Sequence, residues 1–246
     1  MKIADGLVRL EIAGNFAGRQ TLVHPTLAWD GSVSILIDTG FPGQLPALSA
    51  ALDQAGVPLA KLKKIIITHQ DIDHIGCLAE IVEGAEQKIE VLAHESEKPY
   101  IQGEKRMIKS SPENLKRFDA LPDEQRQRMK ALFANPPRAA VDRTLADGEE
   151  LPYCGGIIVI ATPGHTPGHI CLYFKKYKTL VAGDAMNVVA GRLTGPNPQH
   201  AFDHGQAIGS LKKLTGWDIK NIICYHGGSF DNDPNGSIAK LAENSR

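Results

Sequence analysis

Within Thr68-His69-Gln70-Asp71-Ile72-Asp73-His74-Ile75-Gly76, two imidazoles and two carboxylates fall inside six residues, just after the apolar run Ile65-Ile66-Ile67. Placing that much polarity beside a core is costly unless a charged partner is bound there. Neutral histidine and ionised aspartate are both good ligands for a divalent metal, so the chemistry indicated is metal binding. Three later segments repeat the construction. Ile157–Ile160 runs into Thr162-Pro163-Gly164-His165, Leu180–Ala182 into Gly183-Asp184, and Ile222–Tyr225 into His226-Gly227-Gly228. In each, a donor side chain stands just past an apolar strand, usually beside glycine, which lets the backbone turn sharply. If those strands share one sheet edge, the donors converge on a rigid scaffold.

The elements that must position these donors are legible around them. Gly6 to Ile12, Thr21 to Trp29 and Val33 to Ile37 read as strands, the last ending in the turn Asp38-Thr39-Gly40. A helix follows from about Pro46, with Leu45, Leu48, Ala51, Leu52 and Ala55 at helical spacing. Residues 95–138 are charged and helix-favouring. There Met129, Leu132 and Phe133 obey the i, i+3, i+4 rule and predict a helix over Asp123 to Ala134, within a helical insertion on a β-rich body. Asp203, three residues before Gln206, predicts a helix N-terminus. Strands and helices in both halves predict a layered α/β sandwich forming one domain over residues 1–246.

Taken in order, Thr68–Gly76, Pro163–His165, Gly183–Asp184 and His226-Gly227 resemble the motifs of the metallo-β-lactamase superfamily, and Ile37-Asp38-Thr39-Gly40 resembles its first motif. The resemblance implies a four-layer αββα sandwich with two metals. His69, Asp71 and His165 would bind the first, Asp73, His74 and His226 the second, and Asp184 would bridge them, with Asp38 bracing the metal loop from behind. The family's usual residue at position 71 is histidine. A carboxylate there is a harder ligand and adds one negative charge, so zinc is expected, with iron or manganese as the alternatives.

A two-metal site of this kind shares a water and lowers its pKa towards neutrality, which implies a hydrolase acting on a small-molecule carbonyl ester, lactone or thioester. Asp73 or Asp184 would orient the nucleophile and pass its proton to the leaving group. The insertion and the Phe202–Lys212 segment resemble N-acyl-homoserine lactonases, which place tyrosine three residues after the bridging aspartate. Here that residue is Asn187. Pro163-Gly164-His165-Thr166 is shared with hydroxyacylglutathione hydrolases. Asp71 also resembles the glutamate of flavodiiron oxygen reductases, so a diiron redox protein and a non-catalytic metal-binding scaffold remain as other readings.

The remaining histidines read differently. His169 is expected to pack or brace, His24 and His94 read as strand-end residues, and His200 and His204 lie where a pocket edge would be. Lys+Arg 27 against Asp+Glu 28, a net charge of −1, supplies no basic field for nucleic acid. The longest apolar runs are too short to span a bilayer, and no secretory signal opens the chain. Cys77, Cys154, Cys171 and Cys224 lack any C-x-x-C pairing and read as buried free thiols, so a cytoplasmic location is expected.

Overall fold

The computed structural model describes residues 1–243. Two mixed sheets lie face to face. The first runs in the order β1 (Lys2–Ala4), β2 (Leu7–Arg9), β5 (Thr26–Trp29), β6 (Ser34–Ile37), β7 (Lys64–Ile67), β8 (Glu90–His94) and β9 (Arg143–Leu145). The second runs β10 (Glu150–Leu151), β11 (Ile157–Ala161), β12 (Ile170–Phe174), β13 (Thr179–Gly183), β16 (Asn221–Cys224) and β17 (Gly228–Phe230). Two hairpins stand apart from them: β3 (Ile12–Phe16) with β4 (Arg19–Val23), and β14 (Asn187–Val189) with β15 (Arg192–Thr194).

Strands β6 and β7 are buried along nearly their whole length because both of their faces are covered. Ile35, Ile37 and Ile66 point inward to meet Ile157, Leu172, Phe174 and Val181 of the second sheet, forming the core between the sheets. Leu36, Ile65 and Ile67 point the other way, the period-two alternation of a strand, and pack under α1 (Leu45–Gln54) and α2 (Leu78–Gly84). The insertion holds α3 (Lys98–Ile101), α4 (Pro112–Leu115) and α5 (Asp123–Ala134), and its Met107, Phe118, Met129 and Phe133 join the same outer core. On the far side, α6 (His204–Ser210) and α7 (Pro234–Glu243) cover Cys171, Leu180, Ile222 and Cys224. Helix, sheet, sheet and helix make the expected αββα sandwich.

Several details correct the sequence reading. The strand expected over Gly6–Ile12 is only Leu7–Arg9, because Leu10 turns to bond the Pro25 carbonyl. The strand expected over Thr21–Trp29 is two, broken at His24-Pro25: proline has no N–H for a ladder, and the His24 N–H goes to the Tyr225 carbonyl. The donor-bearing strands do not share one sheet edge. They come from both sheets, with β7 in the first and β11, β13 and β16 in the second, and the donors meet where the ends of the two sheets converge. Helix α5 has the predicted limits, and the Asp203 side chain accepts from the Gln206 N–H at 2.9 Å, capping α6. No helix among the described residues is long and apolar enough to cross a membrane.

Candidate metal centre

The seven residues singled out by the motifs fall into two adjoining groups. His69, Asp71, His165 and Asp184 form one, and Asp73, His74 and His226 the other, with donor atoms of each group within 4.8 Å of one another. Asp184 faces both. Its Oδ2 is 3.4 Å from His165 Nε2 and 3.5 Å from His226 Nε2, and its Oδ1 is 3.4 Å from His74 Nε2.

The ligand loop is held from behind by Asp38, which sits at φ +61°, a conformation that aspartate tolerates better than most residues. Asp38 Oδ1 accepts the Thr68 N–H at 2.8 Å. Oδ2 accepts the Thr68 hydroxyl at 2.8 Å and His74 Nδ1–H at 2.9 Å. In the neutral, metal-binding form of His74 that bond keeps the proton on Nδ1 and leaves the Nε2 lone pair facing the cluster. His74 Nε2, Asp71 Oδ1 and Asp184 Oδ1 are buried without a hydrogen-bond partner. Buried polar atoms left without partners in both groups are what bound cations would satisfy, and the donor set of imidazoles and carboxylates fits divalent ions. Gly76 is required where it stands, because a Cβ there would lie 2.3 Å from the Gly40 carbonyl oxygen, which its own N–H bonds at 2.9 Å. At Gly227, with φ +88°, a Cβ would lie 1.9 Å from the Val188 carbonyl oxygen.

The electrostatics are those of a site short of positive charge. Burial opposes protonation of His74, yet the carboxylates of Asp38, Asp73 and Asp184 hold its pKa well above the usual histidine value. Burial likewise opposes protonation of His226, but Asp184 and Asp73 raise it to about 10. His69 goes the other way, down to about 4, through burial and the neighbouring His74.

Sequence reasoning missed the residue that answers Asp71. Lys109, from the insertion, has its ammonium on Asp71 Oδ2 and 3.0 Å from His165 Nε2, with only 15% of its side chain exposed. Asp71 adds one negative charge where the family has imidazole, and Lys109 returns one positive charge. Despite burial, Lys109 and His69 hold the Asp71 carboxyl well below the usual range. The chain path that brings Lys109 in is built on two other residues without a sequence signal. Gln70 Oε1 accepts the Ile108 N–H at 2.9 Å, and the buried Glu97 carboxylate accepts the Gln70 N–H at 2.8 Å and the Gly168 N–H at 2.7 Å. Glu97 thus ties the ligand loop to the loop carrying His165, and burial raises its pKa.

A Lys109→Met variant is expected to bind metal in the first group more tightly, roughly tenfold or more, since a competing cation is removed. Titration against a chromophoric chelator reads this. Equal or weaker affinity would mean that Lys109 does not compete there.

The other histidines separate cleanly. His169 is fully buried and accepts the Asp184 N–H on Nε2 at 3.0 Å, with Nδ1 against the Thr162 hydroxyl, so it braces Asp184. His24 Nδ1 bonds the Leu10 carbonyl, and His94 Nδ1 accepts the Ser96 N–H. His200 and Asn187 line the cavity above the donors, whereas His204 is exposed and outside it. All four cysteines are free and buried. The cavity holds about 990 Å³, walled by the β3–β4 hairpin, the insertion and the segment after β15, with the donor groups as its floor.

Comparison with known proteins agrees with this architecture. The family model described as "Metallo-beta-lactamase superfamily" matches residues 18–226. "Probable metallo-hydrolase YflN" of Bacillus subtilis is 31% identical over 209 residues, covering 78% of this chain and 75% of that one. A "Hydroxyacylglutathione hydrolase" of Rhizobium etli is 46% identical over a shorter stretch of 55 residues, 22% of each chain. Among solved structures, a metallo-beta-lactamase family protein from Thermus thermophilus superposes with a TM-score of 0.74 at 22% identity, covering 99% of this chain and 80% of that one. Motif order, layered fold and a match over most of the chain lead to one conclusion: the chain belongs to the metallo-beta-lactamase superfamily.

Proposed function

We propose that the protein is a hydrolase that cleaves a small carbonyl ester, lactone or thioester with two divalent ions, zinc first among the candidates. The observation that carries this is the pair of donor groups sharing Asp184 on the floor of a cavity of about 990 Å³. His69, Asp71, His165 and Asp184 would hold one ion, and Asp73, His74, His226 and Asp184 the other. When bound, such ions activate water for attack and polarise the carbonyl oxygen.

The protein's own part is to orient and to move a proton. Asp73 has 15% of its side chain exposed, against 11% for Asp184 and 6% for Asp71, so it is the carboxylate most open to the cavity. A carboxylate oxygen of Asp73 not engaged with the ion takes a proton from the attacking water and returns it to the leaving group. Asn187 offers an amide donor where lactonases place tyrosine. Its Nδ2 reaches only the Gly195 carbonyl, at 3.5 Å, and remains available to a substrate oxygen. The local similarity to a hydroxyacylglutathione hydrolase supports keeping thioesters in the substrate range.

Elemental analysis of protein purified without added metal or chelator, followed by lactone, ester and thioester panels, tests the proposal. The expected result is about two zinc ions per chain and hydrolysis of at least one class. Two bound metals with every panel blank would refute the hydrolase reading. Two iron ions with a visible charge-transfer band would instead move the reading to redox chemistry.

A further inference from the structure

Cations and anions are unevenly distributed on the cavity wall. Among the described residues its only carboxylates are Asp71, Asp73 and Asp184, all within the donor groups and so committed to cations. Its side-chain cations are Arg19, Lys109 and Arg117. Lys109 is paired with Asp71, but neither guanidinium has a hydrogen bond or ion pair among the described residues.

Arg117 is also held in place. It lies in the 3-10 turn Lys116–Phe118, with its guanidinium carbon 4.8 Å from the centre of the Phe118 ring and 5.0 Å from that of Phe133. Both rings are buried and line the cavity, so the stacking limits where the guanidinium can go. Its neighbours in the insertion are satisfied differently. Arg126 pairs with Asp123, and Lys130 takes Asp119, the carboxylate nearest Arg117 in sequence. An accessible guanidinium, stacked on aromatic faces and with no carboxylate in hydrogen-bonding reach, feels Asp71 and Asp73 only at longer range and has its donor edge free for a planar two-oxygen anion. Around it Phe16, Phe41, Leu121 and Phe133 present apolar surface.

We propose that Arg117 anchors a carboxylate that the substrate carries besides its scissile carbonyl group, so that the preferred substrates are acids with an apolar body. The inference rests on the hydrolase reading for the bond cleaved, but not for the binding of the anion.

The test is calorimetric binding of 4-phenylbutyrate and of its neutral amide to the metal-loaded protein, with the wild type compared to Arg117→Gln, Arg117→Lys and Lys116→Gln. Wild type should prefer the acid. Arg117→Gln should weaken the acid by roughly tenfold to a hundredfold, the size of a lost charge-assisted contact, and leave the amide unchanged. Arg117→Lys should recover only part of the loss, since a point charge lacks the planar fork. Lys116→Gln removes the same charge outside the cavity and should change nothing.

Equal binding of acid and amide by wild type would overturn the proposal. So would unchanged acid binding in Arg117→Gln, or an equal loss in Lys116→Gln. Ester turnover is read on the same preparations: its absence alongside the expected binding pattern would sink the hydrolase reading and leave the anion anchor standing.

Discussion

Asp184→Asn is expected to lower turnover by on the order of a thousandfold or more while the fold is kept. The reason is geometric. Asp184 is the one carboxylate within 3.4–3.5 Å of His74, His165 and His226, so its loss strips charge from both donor groups at once. Its backbone position does not depend on that charge, because its N–H is held by His169 Nε2 at 3.0 Å. Without metal, burial opposes its ionisation, yet His226 and His74 hold the Asp184 carboxyl well below the usual range, so neutralising it removes a favourable charge and should lower the melting temperature of the metal-free protein. With metal, the stabilisation gained from binding the native state should largely vanish. Metal content, circular dichroism and melting curves with and without added zinc separate these effects. Near-wild-type turnover would remove Asp184 from the machinery. His69→Ala is expected to abolish turnover as well, but through the first group alone.

The second large effect is expected at Asp38, which would touch no ion. Asp38→Asn preserves shape and backbone preference, but its amide cannot both accept from His74 Nδ1–H and carry the negative charge that holds the tautomer. Metal affinity should fall about tenfold to a hundredfold, as for other partners that orient a ligating histidine. Asp38→Ala removes the acceptor altogether, leaving the buried Thr68 N–H unsatisfied and the Thr68 hydroxyl and His74 Nδ1–H with only longer contacts. That should cost about 3–5 kcal/mol of stability, since losing one partner of a buried charged network strands the others. Chelator competition and urea unfolding measure the two quantities. An Asp38→Asn variant with wild-type metal affinity would show that the tautomer is set by something else.

The candidate donor set is readable in the sequence because each donor is a local feature. It follows an apolar strand within a few residues, and strand, turn and donor can be seen in one window: Ile67 to His69, Ala161 to His165, Gly183 to Asp184 and Cys224 to His226. The limits of α5 and the cap at Asp203 were readable for the same reason, since periodicity and caps act within a turn or two. The strand breaks at Leu10 and at His24-Pro25 were not, because they depend on which distant carbonyl a backbone N–H meets. The β14–β15 hairpin also went unread.

The residues that tune the site escaped altogether. Nothing in Met107-Ile108-Lys109-Ser110 marks that lysine among the chain's other cations. It becomes the partner of Asp71 only because Gln70 bonds the Ile108 N–H across 38 residues of chain. Arg117 looks like one more charge on a solvated helix until Phe118 and Phe133 fold beneath it and Asp119 turns to Lys130. Sequence determined which side chains make up the candidate metal centre, because their polarity beside a core demands a reason within a few residues. Which charges surround them was decided by the tertiary structure alone, since Coulomb interactions depend on distance in space and carry no trace in local spacing.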